Sequence, residues 1–182
     1  IGTEAPHLYH YREGDGEAAR NESFANLDVR EKWYTPWGGP AALRSMAQTR
    51  DGWVYADIHV GSIMRSPDRG QTWEPVEPEL HKDVHQVNTT PASDERVYAD
   101  TYDHVWISND RGDSRQHRPF PGSQHYGRAV AVHPTDPNTL LATVSDGPHG
   151  DNVHGRLYFS DDGGDNWHAV EGAYPETTRK NI

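Results

Sequence analysis

Residues 160–167 read SDDGGDNW, residues 66–73 read SPDRGQTW and residues 108–115 read SNDRGDSR, so a Ser-x-Asp-x-Gly turn occurs three times, at Ser66, Ser108 and Ser160. The spacings are 42 and 52 residues. A turn that returns at such a period marks a stacked or radial array of small strand units. With the turns superimposed, their flanks fall into register. Immediately before them lie VYADIHVGSIMR, VYADTYDHVWI and LLATVSDGPHGDNVHGRLYF. Further upstream lie LRSMAQT from Leu43, VHQVNTT from Val84 and GRAVAVHP from Gly127. Each unit therefore reads as strand A, a turn rich in Asp, Pro or Gly, strand B, a variable loop, strand C, the Ser-x-Asp-x-Gly turn and strand D. That is a four-stranded antiparallel meander.

The ends keep the phase. IGTEAPHLYHYREGDGE reads as strands B and C followed by a degraded turn, and Thr178-Arg179-Lys180 begins a further strand A. The units expected are 1–30, 43–80, 84–121 and 127–173, with 178–182 starting another strand. Meanders of this period form the blades of a β-propeller, whose radial stacking leaves only short, protected sheet edges. The fold expected is all-β: one propeller domain, or part of one, with about four blades' worth of chain. A partial propeller would be completed by further sequence or by self-association with a second copy.

The full pattern Ser-x-Asp-x-Gly-x-Thr-Trp resembles the Asp box, or BNR repeat, of sialidases, sortilin-type receptors, several glycoside hydrolases and photosystem II assembly-factor-like propellers. Ser66, Asp68, Gly70 and Trp73 match it throughout, and Ser160, Asp162, Gly164 and Trp167 match with Asn166 in place of Thr. In the middle copy Ser108, Asp110 and Gly112 match, but Ser114 and Arg115 stand where Thr and Trp are expected. The resemblance implies a propeller, a functionally mixed family, and a ligand cleft on the rim opposite the boxes. The box itself has a physical reading. Its Asp accepts turn amides, its Gly supplies a positive φ, and its Trp buries area between strands or blades. A calcium loop would need several convergent carboxylates, and SPDRGQTW has one. Losing the Trp should loosen the outer edge of the middle blade.

Composition narrows the function classes. Only 33% of the 182 residues are hydrophobic, but six Trp and nine Tyr supply enough burial per residue for a folded core. The net charge of -11 disfavours nonspecific binding to nucleic acid or to an anionic membrane. The absence of cysteine excludes disulfides and thiolate metal sites and leaves the compartment open. No apolar run here reaches membrane-spanning length, and no signal-like segment is present.

The candidate site lies on the rim formed by the B–C loops and the D-to-A crossovers. Strand A starts at in-phase positions with Arg44, His85, Arg128 and Arg179, four groups aimed at one axial funnel. A guanidinium fork suits carboxylate, sulfate or phosphate, so these residues, with Trp37, Asp57 and His59, are candidate ligand-binding residues for an anionic small molecule or glycan. The alternative is that the arginines pair with Asp57, Asp83 or Asp100 and merely line the channel. The resemblance to sialidases implies an arginine clamp for a substrate carboxylate, although no Arg-Ile-Pro segment or Tyr and Glu nucleophile pair is present. His85, with Tyr102 or Tyr126, is the candidate catalytic group for proton abstraction in a lyase. His149, Asp151 and His154 in GPHGDNVHG are candidate ligands for a divalent metal, without a recognised ligand spacing, so no cofactor is assigned. Three readings follow: a ligand- or protein-binding module, a glycoside hydrolase or polysaccharide lyase acting on an anionic sugar, and an assembly scaffold. Binding leads, because no carboxylate pair with a credible acid/base arrangement emerges from the spacing.

Overall fold

The structure, a computed structural model, describes residues 1–14, 16–77, 81–172, 175 and 177–179. Strands β3 (Leu43–Gln48), β4 (Val54–Ile58), β5 (Ser62–Ser66) and β6 (Glu74–Pro75) form one four-stranded sheet. A second holds β7 (Val84–Thr90), β8 (Ser93–Thr101), β9 (Val105–Ser108) and β10 (Gln116–Arg118), and a third β11 (Tyr126–Val132), β12 (Leu140–Ser145), β13 (Arg156–Ser160) and β14 (His168–Ala169). In each, chain neighbours pair antiparallel in sequence order. These are propeller blades. Before them β1 (Tyr9–His10) and β2 (Ala19–Arg20) form a two-stranded ribbon, extended by bridges from Gly2 to Leu8 and from Glu4 to Ala42. A one-turn helix, α1 (Glu22–Ala25), follows; the Asn21 side chain accepts from the Phe24 amide at 2.7 Å, and Phe24 is buried. No helix among the described residues is long and apolar enough to cross a membrane.

Register makes the blades superimposable. Val54, Val97 and Leu140 each pair with a box serine, Ser66, Ser108 and Ser160. At each box the Ser hydroxyl donates to the Asp carboxylate and accepts from the Gly amide, at 2.8 Å in the first, 2.7 Å in the second and 2.9 Å in the third. Asp68 accepts from the Thr72 amide and hydroxyl, and Asp162 from the Asn166 amide and side-chain nitrogen. Asn166 thus does in the third box what Thr72 does in the first. Those hydrogen bonds hold the Asp68 and Asp162 carboxyls down at about 2. Gly70, Gly112 and Gly164 sit at φ 85°, 106° and 80°, where a side chain would be strained.

Three apolar layers separate successive units. Leu8, Phe24 and Trp73 lie between the first ribbon and the first full blade, Tyr55, Ile63 and Val87 between the first and second blades, and Tyr98, Phe120 and Trp167 between the second and third. Leu141, the counterpart of the fully buried Tyr55 and Tyr98, is 41% exposed on the far face of the last sheet. The middle box, which lacks its indole, sits in the Tyr55 layer. Arg115 stacks instead over Trp106, with its guanidinium carbon 5.6 Å from the ring centroid. Arg65 reaches across the same junction, donating to the Arg111 carbonyl at 3.0 Å and pairing with Asp113 and Glu74. Arg65 and Arg111 also lie over Trp53. Polar bonds and cation–π contacts therefore do here what a buried Trp does elsewhere. Arg65→Ala should lower stability by about 2 kcal/mol, measured by urea unfolding, because the Arg111 carbonyl, Asp113 and Glu74 lose their charged donor and Trp53 its cation–π contact.

Candidate functional site

Strand A of every blade carries a β-bulge, and the bulged residue is the in-phase one. Pairing slips between Leu43 and Ser45, between Val84 and Gln86, and between Gly127 and Ala129, leaving Arg44, His85 and Arg128 out of register. A bulge re-aims one side chain while the ladder continues. The strands β3, β7 and β11 pack side by side, so the three re-aimed residues come together at one end of the blade array. There Arg44 and Arg128 line a cavity of about 430 Å³ with Trp37, Ala42, His59, Tyr126 and Pro148.

The electrostatics of this cavity are unusual. Burial and the neighbouring Arg128 both push the Arg44 guanidinium below its ordinary pKa. Among the described residues, no carboxylate lies within ion-pair distance of either guanidinium. The aspartates expected to neutralise them are engaged elsewhere. Asp57 accepts from the Ser45 amide at 2.5 Å and hydroxyl at 2.6 Å. Asp100 is fully buried and accepts from the Thr101 amide at 3.0 Å, with the Arg128 and Ala129 amides close by. Asp83 lies 3.4 Å from His59 Nε2 and 3.3 Å from His85 Nε2. Burial works against the Asp83 charge, but the His85 contact and the charges of His85, His59 and Arg44 hold its carboxyl below the ordinary value. Burial, followed by Arg44, lowers His59 to about 4, so its ring is neutral near neutrality.

His85 is enclosed. Its side chain has no exposure, its Nδ1 donates to the Gly127 carbonyl, and the Tyr126 ring lies over it at 4.5 Å. Tyr102 meets Tyr126 edge-on at 5.7 Å and stacks on His81 at 6.2 Å. This aromatic row separates the cavity from a more open groove of about 530 Å³, where Tyr34, His81, Lys82 and Tyr102 form the walls. Trp37 is 76% exposed and covers His59, ring centroids 4.7 Å apart.

Other sequence-derived candidates lie apart from the cavity. Arg179 is exposed, and its carbonyl accepts from the Gly150 amide. His154 pairs with Asp146, whereas His149 and Asp151 are exposed. Among the described residues, the three metal-capable groups that do converge are Asp103, His104 and His117. Their tautomers argue against a metal: His104 Nδ1 accepts from the Phe120 amide at 3.1 Å, which puts the neutral ring's proton on Nε2, the atom facing Asp103. Sequence reasoning left Asp83 outside the ligand set, although its place two residues before His85, in HKDVH, was the available signal.

The model of one family, described as Sortilin, neurotensin receptor 3, matches residues 61–178, about two thirds of the chain. The chain belongs to the Sortilin-Vps10 family. The match takes in all three box serines, Ser66, Ser108 and Ser160. No curated protein matches the sequence. Among solved structures, this Sortilin-Vps10 chain is similar to an ancestral GH74 enzyme, with 17% identity and a TM-score of 0.62 over 80% of this chain and 22% of that one. It also resembles the GH74 enzyme of Niastella koreensis, with 18% identity and a TM-score of 0.54 over 94% of this chain and 30% of that one. YCF48 from Cyanidioschyzon merolae gives 18% identity and a TM-score of 0.50, over 71% and 37%. The chain thus spans between about a fifth and two fifths of the length of these proteins, and at such identities the likeness is one of fold.

Proposed function

We propose that this propeller segment is a binding module that captures an anionic group, such as the carboxylate of a glycan or of a protein partner, between Arg44 and Arg128. One observation carries the reading: two guanidinium groups converge on a 430 Å³ cavity with no ion-pair partner among the described residues. An arrangement that keeps like charges together, in an acidic chain well supplied with carboxylates, is stabilised by an external anion. Trp37 and Tyr126 flank the cavity with flat faces suited to the apolar face of a sugar or to a planar side chain. The description of the family as that of a receptor supports binding as the role. Catalysis is less well supported. Among the described residues no carboxylate lines the cavity, as the paired acids of a glycosidase would, and His85 is shut behind Tyr126.

Glucuronate is a suitable probe. Isothermal titration calorimetry should show binding that Arg44→Ala and Arg128→Ala each weaken by at least about tenfold, the effect of losing one charge-assisted hydrogen bond. Binding unaffected by either substitution would overturn the assignment. Turnover of a uronate polymer that depends on these arginines would replace it with an enzymatic one.

A further inference from the structure

The Gly127 carbonyl can only accept, so His85 Nδ1 carries a hydrogen and donates it. In the neutral ring the Nε2 lone pair then faces Asp83 Oδ1 across 3.3 Å, acceptor against acceptor. Both atoms are buried and have no hydrogen-bond partner in this arrangement. A proton on Nε2 turns the same contact into an ion pair, with the other ring nitrogen held by the Gly127 carbonyl. His59, the other imidazole at Asp83, already sits beside Arg44 and is the poorer proton carrier.

We propose that the axial cavity takes its anion together with a proton held between His85 and Asp83. The proposal rests on the anion-binding reading above and adds its regulation: affinity for a ligand of fixed charge, a carboxylate or sulfate group, rises as pH falls. The groups facing His85 from every packed element are Asp83 in the crossover, His59 beyond β4, Arg44 on β3, and Tyr126 and Arg128 on β11. With the proton in place, two guanidiniums and an imidazolium oppose one Asp83 carboxylate, leaving two positive charges. Without it, one remains. The proton adds a like-signed charge next to a site that is already positive, and a bound anion repays that cost. Anion and proton therefore favour each other's binding, and the coupling is reciprocal.

A further carboxyl, Asp57, lies outside that count, is electrically coupled to Arg44 and is a rival source of pH dependence. The experiment separates the two. Inorganic sulfate keeps its double charge from about pH 5 to about pH 8, so any pH dependence of its binding belongs to the protein. Calorimetry of sulfate binding in buffers of different ionisation enthalpy should show affinity roughly tenfold higher at about pH 5 than at about pH 8, with roughly one proton taken up. His85→Asn keeps a donor for the Gly127 carbonyl but takes no proton. Made in an Asp57→Asn background, which removes the rival titration, it should bind equally tightly at both pH values. Asp83→Asn, a second variant should His85→Asn fail to fold, should in the same background be flat with pH and bind more tightly at about pH 8 than Asp57→Asn alone.

A pH dependence that vanishes in Asp57→Asn alone would overturn the assignment to His85. A native affinity that is flat with pH, yet lost in Arg44→Ala, would overturn the proton linkage and leave the anion site standing. Sulfate binding that ignores Arg44 at both pH values would overturn both.

Discussion

Gly127→Ala is expected to destabilise the domain by more than about 3 kcal/mol in chemical unfolding and to abolish anion capture. A Cβ built at this position falls on the Asp100 Oδ1 atom and lies 3.0 Å from the Thr101 carbonyl. Asp100 cannot swing away cheaply. It is fully buried, accepts from the Thr101 amide and sits beside the Arg128 and Ala129 amides, so rotation would leave a buried donor without its acceptor. The Gly127 carbonyl is also the acceptor for His85 Nδ1, so any backbone shift moves two site residues together. The cause is testable. In an Asp100→Ala background most of the clash is gone, so Gly127→Ala should cost at least about 1 kcal/mol less there, as read by a double-mutant cycle. Equal costs in the two backgrounds would mean that the Thr101 carbonyl sets the penalty.

Features tied to the repeat were the most legible in the sequence. The box serines fixed the phase, and the phase alone placed Arg44, His85 and Arg128 at equivalent sites; that they are β-bulges needed the pairing registers. Asp83 escaped the ligand set because it lies in a crossover, where periodicity gives no address, and its role is long-range, against His59 and His85. The change from Asp to Thr143 in the third blade is readable where VYAD gives way to LLAT, but its place under the bulge needed the register. Val54, Val97 and Leu140 set the register, and three positions on stand Asp57, Asp100 and Thr143. All three place a buried oxygen without a partner beneath the strand A bulge, Oδ2 in the aspartates and Oγ1 in the threonine. A polar atom is thus retained at the position even where the carboxylate is not. The metal-like set in GPHGDNVHG failed for the opposite reason, since nearness in sequence did not bring His149 and Asp151 to His154.

Asp57→Asn should gain stability relative to the native protein as pH rises, by about 3 kcal/mol between roughly pH 4 and pH 7. Burial is the main cause of the raised Asp57 value, about 6, which the Ser45 bonds and Arg44 only partly offset. An acid whose folded pKa exceeds its unfolded one binds its proton more tightly when folded. Its favourable contribution is complete below the unfolded value and is lost as pH climbs through the folded one. Asn cannot ionise, so the variant escapes that loss. The native curve alone would conceal this, because His59 runs the other way: held at about 4, it contributes stability above its unfolded value that disappears as pH falls toward 4. The two shifts are of similar size and overlap between about pH 4 and pH 6, so the native midpoint should change little there. Thermal midpoints of the native protein and Asp57→Asn, measured in parallel across this range, isolate the carboxyl. A difference that stays constant with pH would show that Asp57 ionises normally inside the fold, with its Ser45 bonds and Arg44 outweighing burial.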